Sequence, residues 1–168
     1  MGTPFHVELV TPERVLYSGE ADAVSLRTLE GEITFLARHE DYVGVADVTV
    51  VRISVVGGEA DERPPGELRA AVHGGLVHVD REGVVILAGV AELASEIDVA
   101  RAGAALAAAE AELGTAPQAG EVAPPGGAEE PARASSDSAL ALAAANSPQA
   151  AIRRAKVRLE AAGATSRK

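Results

Sequence analysis

Residues 76–113, "LVHVDREGVVILAGVAELASEIDVARAGAALAAAEAEL", contain a change of hydrophobic period that decides the fold. Up to residue 91 two short apolar runs flank residues 80–83, which is the pattern of a β-hairpin with a turn between its strands. After Glu96 the apolar period becomes 3.6, which predicts a helix that Gly114 can end. One face of this helix carries Ala102, Leu106, Ala109 and Leu113. The stretch therefore predicts a β-domain followed by a helical one.

The chain before this stretch alternates with the period of strands. Phe5, Val7 and Leu9 share one face of the first run, and comparable runs follow near residues 24–28 and 48–56. Glycine and proline turn signals separate the runs, and they lie at residues 11–12, 57–58, 64–66 and 74–75. Because no helical pattern intervenes, residues 1–91 are predicted to form a β-sandwich or flattened barrel of roughly eight to ten short strands.

Residues 92–168 are predicted to form a C-terminal helical hairpin. Its first helix covers about residues 97–113, and residues 114–135 are rich in Pro, Gly and Ala, as flexible linkers are. Helical segments follow over about residues 137–162, where Ser147-Pro148 is typical of an N-cap and a first helical position. Each buried alanine methyl group contributes only about 0.8 kcal/mol of stabilisation. Such a hairpin is therefore expected to open easily.

The charge of the chain is unevenly distributed. Residues 1–96 hold 17 acidic residues and seven arginines, a net charge of −10, whereas residues 97–168 hold eight acids and eight bases. An acidic domain repels phosphates, so nucleic acid is not an expected partner. The chain has no cysteine, which excludes disulfides and thiolate metal sites and fits a reducing compartment. We see no secretory signal and no apolar run near the roughly 20 residues of a membrane span.

No motif in the sequence supports catalysis. The four histidines include His39 in "ARHED" and the pair His73 and His78, but none has the spacing of a metal-ligand set. Nucleophile elbows, phosphate-binding loops and dinucleotide fingerprints are all missing from the sequence. A hydrolase that uses His39 with Glu40 or Asp41 therefore ranks far behind a non-enzymatic protein. No catalytic residue, metal or cofactor is expected.

Two charged features suggest a binding role. Arg154 and Arg158 lie one helical turn apart and repel each other, so an anionic partner is expected beside them. Asp98 and Arg101 stand at the start of the first helix, where they form either an ordinary cap and surface ion pair or part of a binding site. Residue spacing alone leaves both readings open.

The chain resembles the bacterial-type epsilon subunit of F-type ATP synthases. The resemblance is carried by "FHVELVTPERVLYSGEADAVSLRTLEGEI" at residues 5–33, by "AVHGGLVHVDREGVVILAGVAE" at 71–92 and by "EIDVARAGAALAAAEAEL" at 96–113. It implies a central-stalk rotor subunit that couples proton transport to ATP synthesis and performs no chemistry itself. Its implied partners are the gamma subunit, the c-ring and the catalytic alpha/beta head. The implied location is the cytoplasmic face of the cell membrane, held there peripherally through the complex.

The resemblance also implies an ATP-binding site. Some members of the family bind ATP through a motif that residues 97–102, "IDVARA", match at every defined position. The implied ligands of ATP are Glu92, Asp98, Arg101, Arg154 and Arg158. Guanidinium groups one turn apart can share a triphosphate. Because Ala108 stands where these members have a further arginine, binding weaker than theirs is expected.

Two further contacts follow from the resemblance. Arg153, Arg154, Lys156 and Arg158 would meet the catalytic head and restrain ATP hydrolysis, and Glu32 and His39 would contact the c-ring. The loop at residues 34–41 departs from the family pattern by losing one glycine and two prolines. The alternative function is a stand-alone ligand-binding β-sandwich with a regulatory helical tail.

Overall fold

The computed structural model describes residues 3–56, 65–115 and 147–164. The predicted linker beyond residue 115 and the predicted helical segment before residue 147 lie outside the described residues. The strands are β1 Phe5–Val10, β2 Val15–Thr28, β3 Gly31–Phe35, β4 Tyr42–Val55, β5 Gly66–Val79, β6 Gly83–Ala88 and β7 Ala91–Leu93. A 3₁₀ turn at Ala94–Glu96 leads to helix α1 at Val99–Thr115, and helix α2 covers Pro148–Ala161.

The strands form a closed, flattened barrel. Their order is β1-β6-β5-β4-β2-β3, with β7 paired to β5. Strand β1 pairs with β6 in parallel and with β2 antiparallel, so the sheet closes on itself. The predicted hairpin is present as β5 and β6, with Asp80 N–H donating to the Gly83 carbonyl at 3.0 Å. The fold class predicted from the sequence is therefore confirmed.

The described strands are fewer and longer than predicted, since seven replace the expected eight to ten. The reason is that Gly74 and Gly75 lie inside β5, where Gly74 adopts a φ of 86° and bends the strand without ending it. Residues Ala70 and Val72 face the core before the bend, and Val77 and Val79 face it afterwards. Because the inward positions change parity at this bend, the two halves of one strand resemble two strands in the sequence.

Each half of β5 serves a different layer of the barrel. Residues 70–72 pair with β7, whereas residues 75–79 pair with β6. The core between the layers is aliphatic, with Phe35 as the largest fully buried side chain. Strand β7 extends the sheet to Leu93, which places the last strand across the predicted domain boundary at residue 91.

The two helices pack against each other, and α2 also packs on β4 and β5. Helix α1 begins where the Asp98 carboxylate accepts the Arg101 N–H at 2.9 Å. Helix α2 begins at the predicted cap, where Ser147 Oγ accepts the Ala150 N–H at 3.3 Å. On the predicted face of α1, Ala102 and Ala109 are buried while Leu113 is exposed. Within the described residues, no helix is long and apolar enough to cross a membrane.

Candidate functional site

The helical hairpin rests on the barrel through a small apolar seam. The seam consists of Val50 on β4, Ala71 on β5, Ile97 before α1 and Ala161 on α2. Val157 and Ala162 pack around it. Two of its four members are alanines, and each buries about one methyl group, which contributes about 0.8 kcal/mol. The seam therefore contributes only modestly to the stability of the closed hairpin. Polar contacts at its borders therefore matter.

The strongest of these contacts joins Arg158 of α2 to Glu92 of β7. Nη2 and Nε of Arg158 donate to Oε1 of Glu92 at 2.6 Å and 3.1 Å. The two side chains are only 25% and 22% exposed, so solvent screens the pair weakly. Charge-assisted hydrogen bonds of this kind are stronger than neutral ones. The anion that the Arg154–Arg158 spacing predicted is thus supplied, at least at Arg158, by the chain itself.

Two weaker ion pairs join the same helix to β4. Arg52 Nη2 lies 3.3 Å from Glu160 Oε1, and Arg153 Nη1 lies 3.9 Å from Asp47 Oδ1. The charged groups on the helix side are half or more exposed. Exposed pairs typically contribute less than about 1 kcal/mol each. Asp47, Arg52 and Glu92 of the barrel therefore each meet an oppositely charged side chain of α2.

His73 of β5 lies under α2, beside the Glu92–Arg158 pair. Its Nε2 atom is buried and makes no hydrogen bond within the described part of the chain. Burial, followed by the positive charge of Arg158, lowers the pKa of His73 to about 4. The charge of Arg154 lowers this pKa as well, whereas that of Glu92 opposes the shift. The imidazole is therefore neutral at pH 7.

The predicted ATP ligands are only partly brought together. Glu92 and Arg158 are in direct contact, and Arg154 is near enough to His73 to lower its pKa. Asp98 caps α1 through the backbone N–H of Arg101, and both side chains are exposed. The capped-helix reading of Asp98 is thus realised in this structure. The sequence did not indicate that His73, Asp47 and Arg52 lie beside α2. These residues become neighbours of the helix only after folding.

The two predicted c-ring residues line different cavities. Glu32 on β3 borders a cavity of about 260 Å³ between the sheet and α2, and its carboxylate lies 3.8 Å from Arg52. His39 borders a cavity of about 580 Å³ together with Arg38, Glu40, Asp41 and Arg81. The His39 ring packs edge-on against Phe35 with centroids 5.0 Å apart. Within residues 3–56, 65–115 and 147–164, no group of three His, Asp or Glu side chains could hold a metal ion.

An exposed apolar row crosses the barrel and shares no residue with the seam under α2. The row joins four strands through their register, since Val45 pairs with Leu76, Leu76 with Leu87, and Leu87 with Val10. Val45, Leu76 and Leu87 are 49%, 41% and 47% exposed. A notch of about 380 Å³ beside Val10, Pro12 and Leu87 extends this row. The row is therefore a candidate docking surface, because neighbouring apolar side chains can be buried together by a partner.

Comparison with known proteins identifies the family. Residues 4–94 match the β-sandwich domain of the ATP synthase delta/epsilon chain. The chain belongs to this family. It is 50% identical over 108 residues to the ATP synthase epsilon chain of Thermobifida fusca (strain YX), covering 63% of this chain and 74% of that one. The epsilon chain of Brevibacillus brevis is 44% identical over 107 residues, with coverage of 64% and 76%.

The fold of the epsilon-family chain also occurs in a solved assembly. A chain in the cryo-EM structure of the Euglena gracilis mitochondrial ATP synthase superposes with a TM-score of 0.57 at 20% identity. The match covers 98% of this chain and 80% of that one. This similarity shows the shared architecture, and the family predicted from the sequence is confirmed.

The position of His73 predicts that stability falls in mild acid. In the unfolded chain its pKa is near 6.5, whereas in the folded protein it is about 4, so between these values only the unfolded state binds the proton. The stabilisation from His73 is complete above about pH 6.5 and is lost as the pH falls towards about 4. Urea unfolding at pH 7.5 and pH 5 should show a smaller pH effect in His73→Gln than in the parent protein.

The matched control is His78→Gln, which removes an exposed histidine from the same strand. This variant should retain the part of the pH dependence that His73→Gln loses. Equal pH effects in His73→Gln and the parent would contradict the assignment.

Proposed function

We propose that the chain is a non-catalytic central-stalk subunit of a proton-translocating ATP synthase. In this role it couples proton transport to ATP synthesis as part of the rotor, on the cytoplasmic face of the cell membrane, and it touches the membrane only through the complex. The observation that carries the proposal is the division of the barrel surface. Val45 and Leu76 lie in the uncovered apolar row, whereas Val50 and Ala71 on the same two strands are covered by the basic helix.

The apolar row is the proposed docking surface for the gamma subunit. Its three most exposed members are large aliphatic residues on adjacent strands, so a partner can bury them together. Each such side chain contributes about 1.5–3 kcal/mol when it is fully buried. For the c-ring contact we retain Glu32 and His39, each with the cavity that it borders.

The basic face of α2 is the proposed contact with the catalytic alpha/beta head. Arg153 and Lys156 are exposed in the folded-down hairpin, whereas Arg154 and Arg158 are half-buried against the barrel. All four could meet an acidic surface only when the helix leaves the barrel. In that extended state α2 would restrain ATP hydrolysis.

We also propose that ATP favours the folded-down hairpin. Glu92 and Arg158 already lie together, and Arg154 lies on the preceding turn of the same helix. A triphosphate that bridges Arg154, Arg158 and Arg101 would tie the two helices together. Because Arg158 is held by Glu92, binding must share or replace that contact, which is consistent with weak affinity.

Charged substitutions in the apolar row should weaken docking. Leu76→Asp and Leu87→Asp each place an unpaired charge in the proposed interface, and each should weaken binding to isolated gamma at least about tenfold. Calorimetric titration of the full chain into gamma measures this effect. The control is Leu113→Asp, a leucine of similar exposure on α1, which should bind as the parent does. Unaltered binding by both row variants would contradict this docking surface, and failure of the parent to bind any synthase subunit would favour a stand-alone β-sandwich.

Removing residues 136–168 should raise ATP hydrolysis by the assembled complex and leave assembly intact. Charge pairing at a partly buried interface can supply a few kcal/mol, enough for the basic helix to restrain the head. We expect an increase of about twofold or more in the steady-state hydrolysis rate. The double variant Arg153→Gln, Lys156→Gln keeps the helix and should reproduce part of the increase. An unchanged rate in the truncated complex would rule out restraint by α2.

ATP should bind the isolated chain with a Kd of about 1 mM, observable by NMR titration. Arg101→Ala and Arg154→Ala should each abolish the response, because each removes a proposed phosphate contact. Arg81→Ala is the control, since Arg81 lies in the turn between β5 and β6. No response at several millimolar ATP, or equal responses in all variants, would leave Asp98 and Arg101 as a helix cap.

A further inference from the structure

Helix α2 and the barrel carry opposite charge. Residues 148–161 contain four bases and one acid, a net charge of +3, whereas residues 1–96 carry −10. The ion pairs between them start from two strands, Glu92 on β7 and Asp47 and Arg52 on β4. The barrel is thus an acidic partner for the same helix face that the proposed function assigns to the catalytic head.

We propose that the folded-down hairpin is a latched resting state, in which Glu92 holds Arg158 and competes with the catalytic head for α2. The regulatory meaning of this latch rests on the proposed function. The latch itself, defined as the Glu92–Arg158 pair, is a property of the isolated chain. It closes the hairpin without any nucleotide.

The Glu92–Arg158 pair is the member of the network that can decide the position of α2. Its distance is shorter than those of the Arg52–Glu160 and Arg153–Asp47 pairs, and both of its side chains are about three-quarters buried. Loss of one partner would leave the other charged in a poorly solvated place, which is strongly unfavourable. For Arg158 that place is also beside His73 and on the same helical face as Arg154.

Once Glu92 is neutral, the remaining contacts between the barrel and α2 are weak, and the packing of α2 on α1 does not tie the hairpin to the barrel. Two of the four seam residues are alanines, and the pairs at Asp47 and Arg52 are partly exposed. An uncompensated Arg158, now about three-quarters buried, regains its full hydration when the helix moves away from the barrel. Glu92→Gln should therefore release α2, although it changes only one oxygen to an amide nitrogen.

His73 reports which state the hairpin occupies. In the closed hairpin burial and the two arginines keep its pKa at about 4, so it is neutral at about pH 5.5. In an opened hairpin these influences vanish, the pKa returns towards about 6.5 and the ring becomes protonated. The direction of the pKa change distinguishes the two states. Removing the negative charge of Glu92 from a hairpin that stays closed would lower the pKa of His73 further, whereas opening the hairpin raises it.

The experiment records histidine ¹⁵N spectra of the full chain at about pH 5.5 without nucleotide, with His73 assigned from its loss in His73→Gln. The parent should show a neutral His73, and Glu92→Gln should show a protonated one. Amide exchange in α2 should accelerate at least about tenfold in Glu92→Gln, since its helix leaves the barrel. Glu82→Gln removes the same charge from the β5–β6 turn and should match the parent in both measurements.

A neutral His73 and unchanged exchange of α2 in Glu92→Gln would overturn the latch, as would a protonated His73 in the parent protein. These outcomes are independent of the proposed function. If α2 is released but Glu92→Gln does not lower ATP hydrolysis in the assembled complex, the latch stands and restraint of the head by α2 fails.

Discussion

The pairing of β7 with β5 governs the position of the helical hairpin. Glu92 stands opposite Ala71, and Ala71 stands opposite Val50, so one row across three strands contains a carboxylate followed by two apolar side chains. Helix α2 meets this row with Arg158 above the carboxylate and Ala161 above the apolar pair. A shift of β7 by one residue would turn Glu92 to the other face of the sheet and remove the charge from the helix. The Glu92–Arg158 ion pair therefore depends on strand register.

Hydrophobic period was sufficient to predict the layers of this fold, but it failed where a strand bends. The alternation around Phe5 and Leu9 and the 3.6 period after Glu96 both correspond to observed elements. The error arose at Gly74, where a positive φ changes which side of β5 faces the core. Two consecutive glycines occur both in turns and in bent strands, so the local sequence does not distinguish a turn from a bend.

The candidate site was predicted in part for a related reason. The repulsion between Arg154 and Arg158 indicated that an anion is needed, and the partner found at Arg158 lies 66 residues away in the sequence. The spacing of residues along one helix does not identify a partner on a distant strand. The apolar row was missed as well, because alternation identifies the outward residues of a strand but not which of them a helix will cover. The residues that α2 covers are known only from its path across β4 and β5.

Closure of the barrel has a mechanical consequence for the proposed central-stalk role. Since β1 is hydrogen-bonded to β2 on one side and to β6 on the other, neither of its edges is free. A force applied at the apolar row loads β1, β4, β5 and β6 together, and separating any of them requires breaking many backbone hydrogen bonds at once. The hairpin is attached to the barrel through few contacts by comparison. Under load the barrel behaves as the rigid body, and the boundary between barrel and helices yields first.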